Sequence, residues 1–131
     1  MNRTLYKMSV PVTSIIRGPF LKVLPKRQYE ISFSIEAKDG GEQMETLLFD
    51  AVEAFKCTHL ASLGAIGQDL RRQSYGTIIS IPRSPWLQEV KKSYAEYCVS
   101  ARLTQKELQH LMITFDDGPC YEFICVTFRT I

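Results

Sequence analysis

A chain of 131 residues, 45% apolar and 23% charged, has the makeup of one ordinary globular domain spanning 1–131. Such a chain can bury about two-thirds of the surface that its unfolded form exposes. Its 16 basic and 14 acidic side chains leave a formal net charge of +2, too small to draw in nucleic acid by bulk electrostatics. No apolar run approaches the roughly 20 residues that span a bilayer, and no secretory-length stretch opens the chain, so the cytosol is the expected compartment. Cys57, Cys98, Cys120 and Cys125 are expected as free thiols, since a core this apolar needs no staples. With no Cys-x-x-Cys or His-x-x-x-His pair to begin a zinc site, no metal or other cofactor is expected.

In chain order, Arg3–Val10 reads as a strand ended by Pro11. Thr13–Arg27 reads as irregular, because Gly18, Pro19 and Pro25 interrupt any period. It carries Arg17, Lys22, Lys26 and Arg27 without an acid, and is either a solvated connection or a contact patch for an acidic partner. Tyr29–Ala37 alternates cleanly and predicts a strand with one face buried. Asp39-Gly40-Gly41 breaks it. Glu42–Cys57 then spaces Met44, Leu47, Leu48, Ala51, Val52 and Phe55 as one helical face, which predicts a helix with Glu42, Glu45, Asp50 and Glu53 mostly off the stripe. In Thr58–Gly67 the Gly64-x-x-Gly67 spacing, followed by Arg71 and Arg72, matches the backbone-clamping loop of a KH module. The isoleucine-rich helix such a module needs is missing, so the glycines read as turns.

Tyr75–Ile81 predicts a strand stopped by Pro82. Ser84 then caps a helix that has Pro85 at its first position and runs to about Cys98. Trp86, Val90, Tyr94 and Tyr97 line one side of it, and Arg83, neither cap nor core, is free to bind. Thr104-Gln105-Lys106-Glu107 fits a capping box and predicts a short helical turn. His110–Phe115 and Cys120–Thr130 read as strands joined by Asp116-Asp117-Gly118-Pro119. Tyr121–Phe128 is apolar on both faces, which predicts an interior strand whose truncation by five residues abolishes soluble expression. The fold expected is α+β: a mainly antiparallel sheet of about five strands with two principal helices, Glu42–Cys57 and Pro85–Cys98, packed against it.

No residue set spells out a reaction. Cys57 and His59 could pair as thiolate and imidazole, but no third group orients them. Asp116, Asp117 and Glu122 cluster near the last turn, where bonding to nearby amides is the simpler role; exposed, they would suit a basic protein surface.

The segments ISIPRSPWLQEV and HLMITFDDGPCYEFIC together resemble the carboxy-terminal half of bacterial immunity proteins of contact-dependent growth inhibition and related polymorphic-toxin systems. The residues involved are Ser84, Trp86, Leu87, Val90, His110, Ile113, Phe115, Asp116, Glu122 and Phe123, with Arg83 where the pattern carries Asn. The resemblance implies a non-enzymatic protein that binds a cognate toxin domain in a stoichiometric complex. Candidate contacts are Arg17, Lys22, Lys26 and Arg27; Arg71, Arg72 and Arg83; and Asp116 and Asp117. The rival readings are a small enzyme or ligand-binding protein with a pocket near Cys57 and His59, and a nucleic-acid-binding module using Gly64–Arg72 with Lys22–Arg27.

Overall fold

The computed structural model describes residues 2–59, 67–116 and 119–131. Among them the strands are β1 (Arg3–Lys7), β2 (Ile15–Leu24), β3 (Gln28–Glu36), β4 (Glu42–Asp50), β5 (Ala54–Thr58), β6 (Thr77–Ser80), β7 (Gln109–Thr114), β8 (Cys120–Cys125) and β9 (Thr127–Thr130). A short helix α1 (Gln68–Gln73) precedes β6, and a long helix α2 (Pro85–Ala101) follows it. The strands form two sheets, a five-stranded one in the order β1-β6-β7-β8-β5 and a four-stranded one in the order β2-β3-β4-β9. Pairing between neighbouring strands is antiparallel throughout.

The two sheets meet face to face. Ile31, Phe33, Leu47 and Phe49 of the four-stranded sheet pack in one cluster with Ile78, Leu111, Ile113 and Phe123 of the other. At its centre the rings of Phe49 and Phe123 stack with centroids 4.0 Å apart. On the far side of the five-stranded sheet, Leu87, Trp86, Val90 and Tyr94 of α2 cover Ile124, Leu108 and Ala54. Leu70 of α1 covers Ile79, Met112 and Cys120 on that same side. Both helices thus serve one sheet, and the outer face of the four-stranded sheet carries neither.

The expected fold of about five strands with two principal helices is corrected by this arrangement: among the described residues there are two sheets and one long helix. The predicted helix Glu42–Cys57 is instead β4 and β5, separated by a corner where Ala51 takes φ 52. Leu48 explains the false helical stripe, because it points to the outer face and is still only 3% exposed, so apolar residues occur on both faces of β4. The preceding turn decides the outcome. Asp39 accepts a hydrogen bond from the Gly41 amide at 2.9 Å and Gly40 takes φ 86, so the chain folds back and β4 pairs along β3 from Glu36↔Glu42 to Tyr29↔Phe49.

The irregular connection expected over Thr13–Arg27 is mostly the strand β2. It absorbs Gly18 and Pro19 through register shifts against β3, and it lies at the sheet's edge, where a proline without an N–H removes no ladder bond. At Gly18, with φ +105, a Cβ would stand 3.0 Å from the Ser32 carbonyl oxygen, so only glycine fits. The capping box at Thr104–Glu107 forms no helix; the Lys106 amide donates instead to the Tyr94 hydroxyl at 3.2 Å. The predicted last strand divides at Val126. β8 is interior as its apolar faces require, whereas β9 crosses to the edge of the other sheet, so truncation by five residues removes an edge strand rather than a central one.

The helix start conforms to its sequence. Ser84 Oγ accepts the Leu87 amide hydrogen at 3.1 Å, and Pro85 occupies the first turn. Ser84→Ala is therefore expected to cost about 1 kcal/mol in urea denaturation, while Ser84→Asp, which keeps the acceptor, costs less.

Candidate functional site

Outward-facing residues of the five-stranded sheet and the start of α2 enclose a crevice of about 430 Å³. Strand register places Lys56 of β5 opposite Glu122 of β8, and Glu122 opposite Met112 of β7. One row away, His110 of β7 lies opposite Ile124, beneath the first turn of α2. His110 Nε2 and Glu122 Oε1 are 2.8 Å apart, with side-chain exposures of only 6% and 13%. An ionised carboxylate can only accept, so Nε2 carries the hydrogen of this bond. The other ring nitrogen, Nδ1, is buried and has no partner among the described residues.

Trp86 meets the His110 ring edge to face, with centroids 5.1 Å apart. Lys56 Nζ sits 4.0 Å from the Trp86 ring centroid, a cation–π contact that holds the ammonium at the crevice mouth. Arg83 completes the polar side, and Leu70, Ile81 and Pro85 supply apolar wall. Neither Lys56 nor Arg83 forms a salt bridge among the described residues.

The structure does not bring the nominated contact residues together. Arg17, Lys22, Lys26 and Arg27 lie on β2 and the turn after it. Arg17 Nη2 binds Glu42 at 3.2 Å, and Arg27 pairs with Glu53. Lys22 stands opposite Glu30 on β3, and Lys26 is exposed in the turn. Arg71 and Arg72 lie on α1, beside Tyr75. Arg83 alone lines the crevice described above. Asp116 accepts from the Tyr75 hydroxyl at 2.7 Å, and Asp117 and Gly64 lie outside the described residues.

Lys56 carries no mark in the sequence, because the spacing of Glu42–Cys57 predicts a helix and its register against Glu122 exists only in a sheet. Trp86, His110 and Glu122 stand apart in the sequence, and their contacts bridge separations that no local pattern encodes.

Cys57 and His59 are both exposed, on and just beyond edge strand β5, and no hydrogen bond joins their side chains among the described residues. Burial pushes the Cys57 thiol up from its ordinary value, the opposite of what activates a nucleophile. All four cysteines are free, and only Cys57 is exposed. An aromatic disulfide reagent is expected to titrate Cys57 alone in the folded chain and all four thiols in denaturant, counted by released thiolate. The native reaction is expected to quicken as pH rises toward and past 9.0, the ordinary thiol value below which the Cys57 thiolate is scarce.

The fold defines a two-sheet antiparallel sandwich with a long helix on one outer face. Searches of family models, curated proteins and solved structures return no match for this chain. No helix among the described residues is long and apolar enough to cross a membrane.

Proposed function

We propose that this chain is a cytosolic binding protein that neutralises a cognate bacterial toxin domain by forming a stoichiometric complex with it, without catalysis of its own. The observation that carries the docking mode is the outer face of the four-stranded sheet, which no helix covers among the described residues. Phe20, Ser32 and Thr46 share one row across β2, β3 and β4, and Ile131 continues it through its amide bond to the Thr46 carbonyl. Met44 stands in the next row, opposite Ser34. Phe20, Met44 and Ile131 are 53%, 57% and 72% exposed, three large apolar side chains set around Ser32, Ser34 and Thr46 on this face.

Arg17, Lys22 and Arg129 share this face with Glu30 and Glu42, so it mixes large apolar, small polar and charged side chains, a composition that suits a non-obligate protein interface. An inhibitory interface buries on the order of 800 Å² per partner, and a four-stranded sheet face provides that scale of surface. The toxin as partner class rests on the resemblance over Ile79–Val90 and His110–Cys125.

The test takes the carboxy-terminal domain of the protein encoded by the reading frame next to this gene. The chain is expected to form a one-to-one complex with it at micromolar concentration and to restore growth of cells that express it. Phe20→Asp and Met44→Asp are expected to weaken the complex by about tenfold or more while leaving the urea midpoint nearly unchanged. Absence of a complex at that concentration overturns the toxin reading; a complex indifferent to both substitutions overturns the docking face.

A further inference from the structure

The crevice on the opposite side of the molecule has features that folding alone leaves unexplained. Lys56 and Arg83 are exposed cations with no acid partner among the described residues, and both border the same hollow. Its one carboxylate among the described residues, Glu122, is engaged by His110. Its wall is apolar, built by Leu70, Ile81, Pro85 and the Trp86 ring. The volume, about 430 Å³, lies within the range of small-molecule sites, which are mostly apolar with a few placed polar groups.

We infer that this crevice binds a small organic acid, whose carboxylate lies between Lys56 and Arg83 and whose apolar body rests against Trp86, Ile81 and Leu70. The charge pattern sets the class. Two cations, neither in a salt bridge among the described residues, favour an anion, while the apolar wall gives nothing to a fully hydrated one such as inorganic phosphate. A neutral ligand of the same shape would leave both cations without a partner. Lys56, already held over the Trp86 ring, loses little freedom on meeting the carboxylate.

Trp86 is the chain's single tryptophan. It also borders a second hollow beside Glu53, Val90 and Tyr94, so the Lys56 and Arg83 variants assign an emission change to this crevice. Phenylacetate is the probe, with 2-phenylethanol as its neutral counterpart and inorganic phosphate as the bare anion. Phenylacetate is expected to change the emission saturably below about 10 mM, and the other two to give no saturable change in that range. Arg83→Gln and Lys56→Gln are each expected to raise the half-saturating concentration by about tenfold. Both side chains are exposed, so the urea midpoints of these variants are expected to stay close to that of the parent chain, which separates lost binding from lost folding.

Four results would overturn the inference: no saturable response to phenylacetate, equal binding of 2-phenylethanol, equal or tighter binding of phosphate, or half-saturation unmoved in both variants. The measurement needs no toxin domain, so its outcome stands apart from that of the complex.

Discussion

Replacing Phe123 with alanine is expected to lower the unfolding free energy by about 3–5 kcal/mol, a large part of the roughly 5–15 kcal/mol that holds a domain folded. Phe123 is fully buried on β8, where it joins the two sheets. Its ring stacks on Phe49 across the sandwich at 4.0 Å and lies 5.3 Å from Phe55 and 5.7 Å from Tyr29. Removing it opens a void under both sheets, and β-strands on either side cannot close the gap without breaking register. Phe123→Leu refills most of the volume and is expected to cost less than half as much. Urea denaturation followed by circular dichroism measures both. A cost below about 1 kcal/mol for the alanine variant would mean that the sheets do not pack through this ring.

What the sequence revealed of this fold follows the range over which each signal acts. The Ser84-Pro85 helix start is local: a hydroxyl, a proline and the adjacent amides, and the structure places each where the spacing predicts. The alternation of Tyr29–Ala37 is local in the same sense and becomes β3. Glu42–Cys57 fails because its decisive contact is with the preceding strand. Leu48 looks like a helical neighbour of Leu47, but in a sheet the two point to opposite faces, and both are buried. The hairpin signal lies in Asp39-Gly40-Gly41, and that turn, not the spacing after it, decides β4. β2 was hidden for a different reason: Gly18 and Pro19 are strand breakers only where both edges must pair, and β2 has one edge free.

Single residues of the candidate sites were legible, but their assembly was not. Arg83 stood out because it had no role in the helix cap, and it does border the crevice. Lys56 had no such mark. The pairing of His110 with Glu122 depends on strand register, and Trp86 reaches His110 only because α2 folds back over β7 and β8. The basic residues of Thr13–Arg27 read as a single patch on an open connection. As a strand and turn, all four are exposed, and they divide into two paired with acids, Arg17 and Arg27, and two in no salt bridge among the described residues, Lys22 and Lys26.

Between about pH 9 and 12 the fold is expected to lose stability steeply, through groups that the folded chain keeps neutral. Burial pushes the thiols of Cys120 and Cys125 up to about 12 from an ordinary 9.0. Burial likewise raises the Tyr121 phenol to about 12 from 10.0. In the unfolded chain these groups release their protons as pH passes their ordinary values, while in the folded chain they hold them. The folded state then binds more protons than the unfolded one, so the free energy of unfolding falls with rising pH until the folded values are reached near 12. Below 9.0 both states are protonated at the thiols, and these groups add no slope. The urea midpoint is thus expected to change little from these groups between about pH 7 and 8 and to drop progressively above 9. The Cys120→Ala, Cys125→Ala double variant starts lower because it loses two buried side chains, yet its alkaline slope is expected to be shallower. An identical slope in parent and variant would mean that these thiols ionise as readily in the folded chain as in the unfolded one, against their burial beneath α1 and between the sheets.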